Sequence, residues 1–144
     1  MSLDGAYDDA NIFARIVRGE IPCAKVYEDD KVMAFMDAFP QARGHTLVVH
    51  KHSRARTLLD IEPQPLSELT LGVQKVARAV REALNPDGLV VTQFNGAPAG
   101  QTIFHLHFHI LPRWEGAPLA AHGGGQAEPG ELQRLATQIG AAVE

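Results

Sequence analysis

The sequence predicts an α+β domain: a five-stranded antiparallel sheet with one main helix packed on it. Three observations point there. Five short β-like runs are mostly joined by loops too short for parallel crossovers. One long segment, Pro65 to Leu84, carries apolar residues at three- and four-residue steps. Helices are inserted in blocks and do not alternate with strands as a doubly wound sheet requires. At 144 residues the chain has the size of a single domain, 1–144.

Taken in order, Met1 to Asp8 carries no pattern, and no structure is expected of residues 1–8. Asp9 is placed as the cap of a short helix whose Ile12, Phe13, Ile16 and Val17 share one face, with Gly19 ending it. Lys25–Glu28 and Val32–Asp37 read as strands around an Asp29-Asp30 hairpin turn. Phe39 to Gly44 is a loop into a third strand, His45–His50. In the main helix Leu66, Leu69, Val73, Val76, Ala77, Val80 and Leu84 line one side, and Asn85-Pro86-Asp87-Gly88 stops it. Leu89–Phe94 is the fourth strand, Asn95–Gly100 a loop, and Ile103–Leu111 the fifth strand. Residues 115–144 form a C-terminal extension, Gly-, Ala- and Pro-rich to Gly130. It ends in a helix expected over Glu131 to Val143, with Leu132, Leu135, Ala136 and Ile139 on one side.

Composition narrows the function. Apolar residues make up 45% and charged residues 21%, an ordinary globular balance. A net charge of −4 suits a small phosphate ligand better than a nucleic-acid backbone, whose affinity comes from neutralised phosphates. The single cysteine, Cys23, allows no intrachain disulfide and no Cys-cluster zinc site. No apolar run approaches the roughly 20 residues of a membrane span, and Met1 to Gly5 lacks the pattern of a secretory leader. A cytoplasmic protein is the expectation. No Gly-rich loop ends in Lys-Ser/Thr, which excludes a P-loop enzyme.

The histidines carry the chemistry. His105, His107 and His109 alternate with Phe104, Leu106, Phe108 and Ile110. In a strand this puts the apolar residues on one face and the imidazoles on the other, in a row about 6.7 Å between neighbours and about 13 Å end to end. Zinc–nitrogen bonds of about 2.0–2.1 Å cannot bring the outer two to one ion. Two of the three could join His45, His50 or His52 around a metal, but that leaves one histidine over and no carboxylate nearby in sequence. An extended phosphoryl substrate uses all three. The middle imidazole is the natural nucleophile, with a potential proton donor or charge stabiliser on each side.

The run Gly100-Gln101-Thr102-Ile103-Phe104-His105-Leu106-His107-Phe108-His109-Ile110-Leu111 resembles the signature of the histidine triad family of nucleotide-binding proteins. Asp37 to Val49 is similar to the family's nucleoside-side segment, and Asn11 to Ile16 to its opening helix. The resemblance covers roughly residues 10 to 113 and implies the histidine triad fold. It further implies a homodimer, a purine nucleotide substrate, and hydrolysis or transfer through a nucleotidyl-histidine. By position, His107 would be the nucleophile, flanked by His105 and His109, with His45 behind. Asp37 would accept the ribose hydroxyls, and Gln101, Thr102 and Asn95 would contact phosphate, although Phe94 competes with Asn95 for its place. No cofactor and no metal are expected: Asn11 and Ala14 stand where zinc-binding relatives have cysteines, so His52 has no metal to hold. His50 replaces a usual proline, and His122 is expected to be solvated. Arg113 and Thr102 resemble the dinucleoside polyphosphate branch. Nucleoside phosphoramidates are nevertheless the expected substrates, with polyphosphates as the alternative and a nucleotide-binding regulator as the alternative of another class.

Overall fold

A computed structural model describes residues 3–120 and 125–144 of the chain. His122 lies outside the described residues. The elements run α1 (Ile12–Val17), β1 (Lys25–Glu28), β2 (Val32–Met36), β3 (Thr46–His50), α2 (Pro63–Leu84), β4 (Gly88–Thr92), β5 (His107–Arg113) and α3 (Pro129–Gly140). The strands form one sheet in the order β1-β2-β3-β5-β4, with every neighbouring pair antiparallel. This is the α+β architecture the sequence predicts.

The sheet has two unequal faces. Val32, Ala34, Met36, Val48 and Ile110 pack under α2 and α3, meeting Leu69, Val73, Val76, Val80, Leu135 and Ile139. The alternate residues Met33, Phe35, Leu47 and Val49 pack under α1, against Phe13 and Ile16. Period-two alternation therefore has an apolar partner on both sides, which is why β2 and β3 are buried throughout. The C-terminal extension joins the larger core through Leu132, Leu135, Ala136 and Ile139.

Local chemistry explains most boundaries. Asn11, not Asp9, caps α1, its Oδ1 accepting the Ala14 N–H at 2.9 Å. Asp29 closes the hairpin by accepting the N–H groups of Lys31 and Val32. In α2 the first residue is Pro63, a position that needs no N–H partner. Its last turn is stopped by Asn85 in the left-handed region, φ 48°, followed by Pro86.

The fifth strand corrects the sequence reading. It begins at His107, not Ile103, so His105 does not lie in the sheet. Two hydrogen bonds draw the chain away: Gln101 Nε2 donates to the Ile103 carbonyl, and Leu106 N–H donates to the Ala55 carbonyl. The strand also runs through Pro112, which pairs with Leu89 on one side only. Its pairing with β3 ends at Ile110, so the missing proline N–H faces no strand.

The Pro112 ring instead lies close to Gly44, which sits at φ +88°. A Cβ there would lie 2.4 Å from Leu84 Cδ1 and 3.0 Å from Pro112 Cγ. Gly44→Ala adds left-handed strain to overpacking and should destabilise by about 2–4 kcal/mol in urea unfolding. Gly19, at φ +79° with nothing within 4 Å of its added Cβ, is the control. Gly19→Ala should cost only the strain, about 1 kcal/mol, and equal losses at the two sites would refute the packing account.

Candidate active site

His107 and His109 project from β5 on the α1 side of the sheet, opposite Val49 and Leu47 of β3. They do not form an exposed row. Both are buried, and the Phe13 ring stands edge-on to His107 with centroids 4.8 Å apart. Phe94 lies 5.2 Å from His109, and the two imidazoles are 4.9 Å apart. His107 and His109 line a cavity of about 770 Å³ together with Phe13, Phe35, Asp37 and Thr102. Its walls are mainly apolar, as suits a ring system gripped by shape and a few polar groups.

Main-chain groups set the tautomers. His107 Nδ1 lies 2.7 Å from its neighbour's carbonyl, the oxygen of His105. A carbonyl only accepts, so Nδ1 carries the proton and the lone pair sits on Nε2. His45, fully buried at the entrance to β3, is set the other way. Its Nδ1 accepts the Gln41 N–H at 3.1 Å, which puts the proton on Nε2. That N–H is 2.9 Å from His109 Nδ1 and 3.4 Å from Asp37 Oδ2. His109 Nδ1 is thereby an acceptor, and its own proton is on Nε2. The pair lining the cavity is a nucleophilic nitrogen beside an N–H donor.

Asp37 is fixed next to His45 by the backbone, its N–H donating to the His45 carbonyl at 3.0 Å. Its Oδ1 accepts the Phe39 N–H. The nearest ring and carboxylate atoms of Asp37, His45 and His109 lie within 4.8 Å of one another, the one such triplet among the described residues. The donor set does not fit a metal. An ion on His45 Nε2 would push the ring proton to Nδ1, where the Gln41 N–H already points. Asn11, where zinc-binding relatives have cysteine, is occupied as the cap of α1.

His105 stands apart from the cavity lining. Burial pushes its pKa down from 6.5 to about 4, against a hydrogen bond to the main chain of His50 that raises it. Its Nδ1 meets the Tyr7 hydroxyl at 2.7 Å. Residues 3–8 form no helix or strand, but Tyr7 is anchored. Gln101 is buried with both ends of its amide on the main chain: Gly96 N–H donates to Oε1, and Nε2 donates to the carbonyls of Arg56 and Ile103. Asn95 pairs with Gln93 and accepts the Leu58 N–H. Neither lines the cavity; Thr102 does. His50 ties β3 to α2, 2.9 Å from Glu68, with Nδ1 accepting from His52 and Ser53. His52 meets the Asp30 carbonyl.

Three contributors escape sequence reasoning. Phe13 was legible only as part of an apolar helix face. Gln126 and Gln133 of the C-terminal extension reach the cavity wall with no sequence signal at all. The segment before α3 is laid there by backbone bonds from Ala120 N–H to the Gln41 carbonyl and Ala127 N–H to the Ala38 carbonyl.

An antiparallel sheet presenting ordered imidazoles to a nucleotide-sized cavity defines a histidine triad protein. The HIT domain model matches residues 18–116, and the chain belongs to that family. Protein hit of Bacillus subtilis is 38% identical over 133 residues, covering 89% of this chain and 90% of that protein. Adenylylsulfatase HINT3 of Arabidopsis thaliana is 35% identical over 132 residues, 92% of this chain and 66% of the plant protein. A crystal structure of a Hit-like protein from Bartonella henselae, involved in cell-cycle regulation and holding an unknown ligand, superposes with a TM-score of 0.91. It is 48% identical and covers 96% of this chain and 100% of its own. α3 lies beyond the matched residues and yet completes both core and cavity.

A buried neutral histidine links pH to stability. His105 has a folded pKa of about 4 against 6.5 for the free group. The unfolded chain therefore binds the extra proton between those values, and stability is lost as pH falls from 6.5 towards 4. The loss reaches about 3 kcal/mol at most. Urea unfolding at pH 7 and pH 4 measures it, and His105→Gln should flatten the difference. An unchanged pH dependence in that variant would show that His105 is not the linked group.

Proposed function

We propose that the protein hydrolyses or transfers nucleoside monophosphate conjugates, phosphoramidates foremost, through a nucleotidyl-His107 intermediate. The observation that carries this reading is the pair of opposed tautomers on adjacent imidazoles, His107 with Nδ1 held by a carbonyl and His109 with Nδ1 held by His45. Attack by the Nε2 lone pair forms a P–N bond while the bond to the leaving group breaks. The departing group takes the bonding electrons, accepts a hydrogen bond from the His109 Nε2–H, and draws its proton from solvent water. The intermediate ring is cationic, and the His105 carbonyl on Nδ1–H stabilises that charge as it develops. Water then attacks phosphorus, the P–N electrons return to Nε2, and the proton released by the water passes to solvent. Asp37 is assigned to the ribose hydroxyls and Thr102 to the phosphate. Gln101 and Asn95 act at one remove by holding the loop that carries Thr102. A regulator that only binds nucleotide has no use for a nucleophile with its tautomer fixed.

Polyphosphates rank second because Arg113 is badly placed to meet an extra phosphate. It sits four residues beyond His109 on an extended strand, about 13 Å away, and its guanidinium donates to the Ala117 carbonyl. Release of AMP from an AMP-phosphoramidate should fall on the order of 10³-fold or more in His107→Ala. A variant keeping more than a few per cent of the wild-type rate would remove covalent catalysis. Phosphoramidate should also exceed diadenosine polyphosphate in kcat/KM, with the ratio unmoved by Arg113→Ala. A tenfold preference for polyphosphate that Arg113→Ala erases would reverse the order.

We further propose a cytoplasmic homodimer. The edge strand β4 leaves Val90 and Val91 exposed on opposite faces, at 40% and 47%, a liability that pairing with a second copy would cover. Light scattering at micromolar concentration should give twice the mass of 15.6 kDa, and a monomer mass would contradict the proposal.

A further inference from the structure

The nucleophile is oriented by a carbonyl whose own position needs explaining. His105 contributes that carbonyl from a bend just before β5, where its backbone belongs to no strand. Its peptide unit is held at one end by the Leu106 N–H, which donates to the Ala55 carbonyl at 3.0 Å, and its side chain anchors the other end. The ring is buried at 3% exposure and hydrogen-bonds on two sides, to the main chain of His50 and to Tyr7. A main-chain carbonyl takes the ring's one proton. Nδ1 must then accept, and the Tyr7 O–H at 2.7 Å is its donor.

Tyr7 is itself clamped. The Arg54 guanidinium carbon lies 4.8 Å from the centre of its ring, and Arg54 is ion-paired with Asp9 of the same N-terminal segment. The phenol ring also leans on the imidazole, with centroids 5.7 Å apart. A chain of contacts thus runs Asp9, Arg54, Tyr7, His105 ring, His105 carbonyl, His107 Nδ1. It approaches His107 through residues that do not line the cavity, and two of its members, Asp9 and Tyr7, lie outside the 18–116 family match.

We propose that Tyr7 is a positioning residue for the nucleophile: its O–H fixes the orientation and tautomer of His105, and so the carbonyl that keeps the proton on His107 Nδ1. The inference rests on His107 being the nucleophile, but its spectroscopic arm does not.

Tyr7→Phe keeps the ring, its burial and the Arg54 contact while removing only the O–H. In long-range imidazole 1H–15N spectra the wild type should show His105 protonated on Nε2 and His107 on Nδ1. Tyr7→Phe should mix the His105 tautomers and broaden or shift His107. Its kcat should fall about tenfold, the worth of one hydrogen bond of about 1.4 kcal/mol, with KM within twofold. A Tyr7→Phe protein whose imidazole spectra match wild type overturns the proposal, and so does one whose tautomers mix while kcat stays put. A fully active His107→Ala would overturn the nucleophile reading beneath it, whatever the Tyr7→Phe spectra show.

Discussion

The Gln41 N–H, 3.1 Å from Nδ1 of a fully buried His45, leaves that ring one place for its own proton. The consequence propagates. His45 Nε2–H must donate, His109 Nδ1 must accept, and the remaining His109 proton must sit on Nε2. On the neighbouring residue a carbonyl imposes the opposite order. Side chains that could each exist in two neutral forms are therefore held in one apiece, ultimately by one backbone amide and one backbone carbonyl. A loop shift at residue 41 would reach the cavity without moving β5.

That arrangement also argues against a metal at this triplet on chemical grounds. Three ligating atoms do converge, and a carboxylate distant in sequence does come near the histidines, which the linear pattern could not show. Convergence is insufficient when the donor atom of the central ring is obliged to keep its proton.

Much of this was legible beforehand because it depends on periodicity. Lys25–Glu28 and the apolar stripe of α2 follow directly from side-chain alternation, and the pairing of His107 and His109 on one face follows from two-residue spacing in β5. The same regularity misled at His105: the alternating pattern continues upstream of His107, but hydrogen bonds from Gln101 and Leu106 take the chain out of the sheet. His50 looked surplus because its partner, Glu68, is on a helix 18 positions away. Tyr7 and the glutamines of the C-terminal extension act through tertiary contacts that leave no periodic trace. Proton positions were illegible for the same reason, since they depend on which carbonyl or amide happens to lie within reach.

The two faces of the sheet are covered very differently. α2 and α3 lay 22 and 12 residues over one side, and α1 lays six over the other. A six-residue helix has little stability of its own and holds by what it packs against. Apart from the start of α3, which reaches the cavity, cohesion is thus concentrated on the face remote from the histidines, and the wall carrying Phe13 is the part that can detach at least cost. A ligand-sized opening on that side would be a local event of the native state, in which the larger core stays closed.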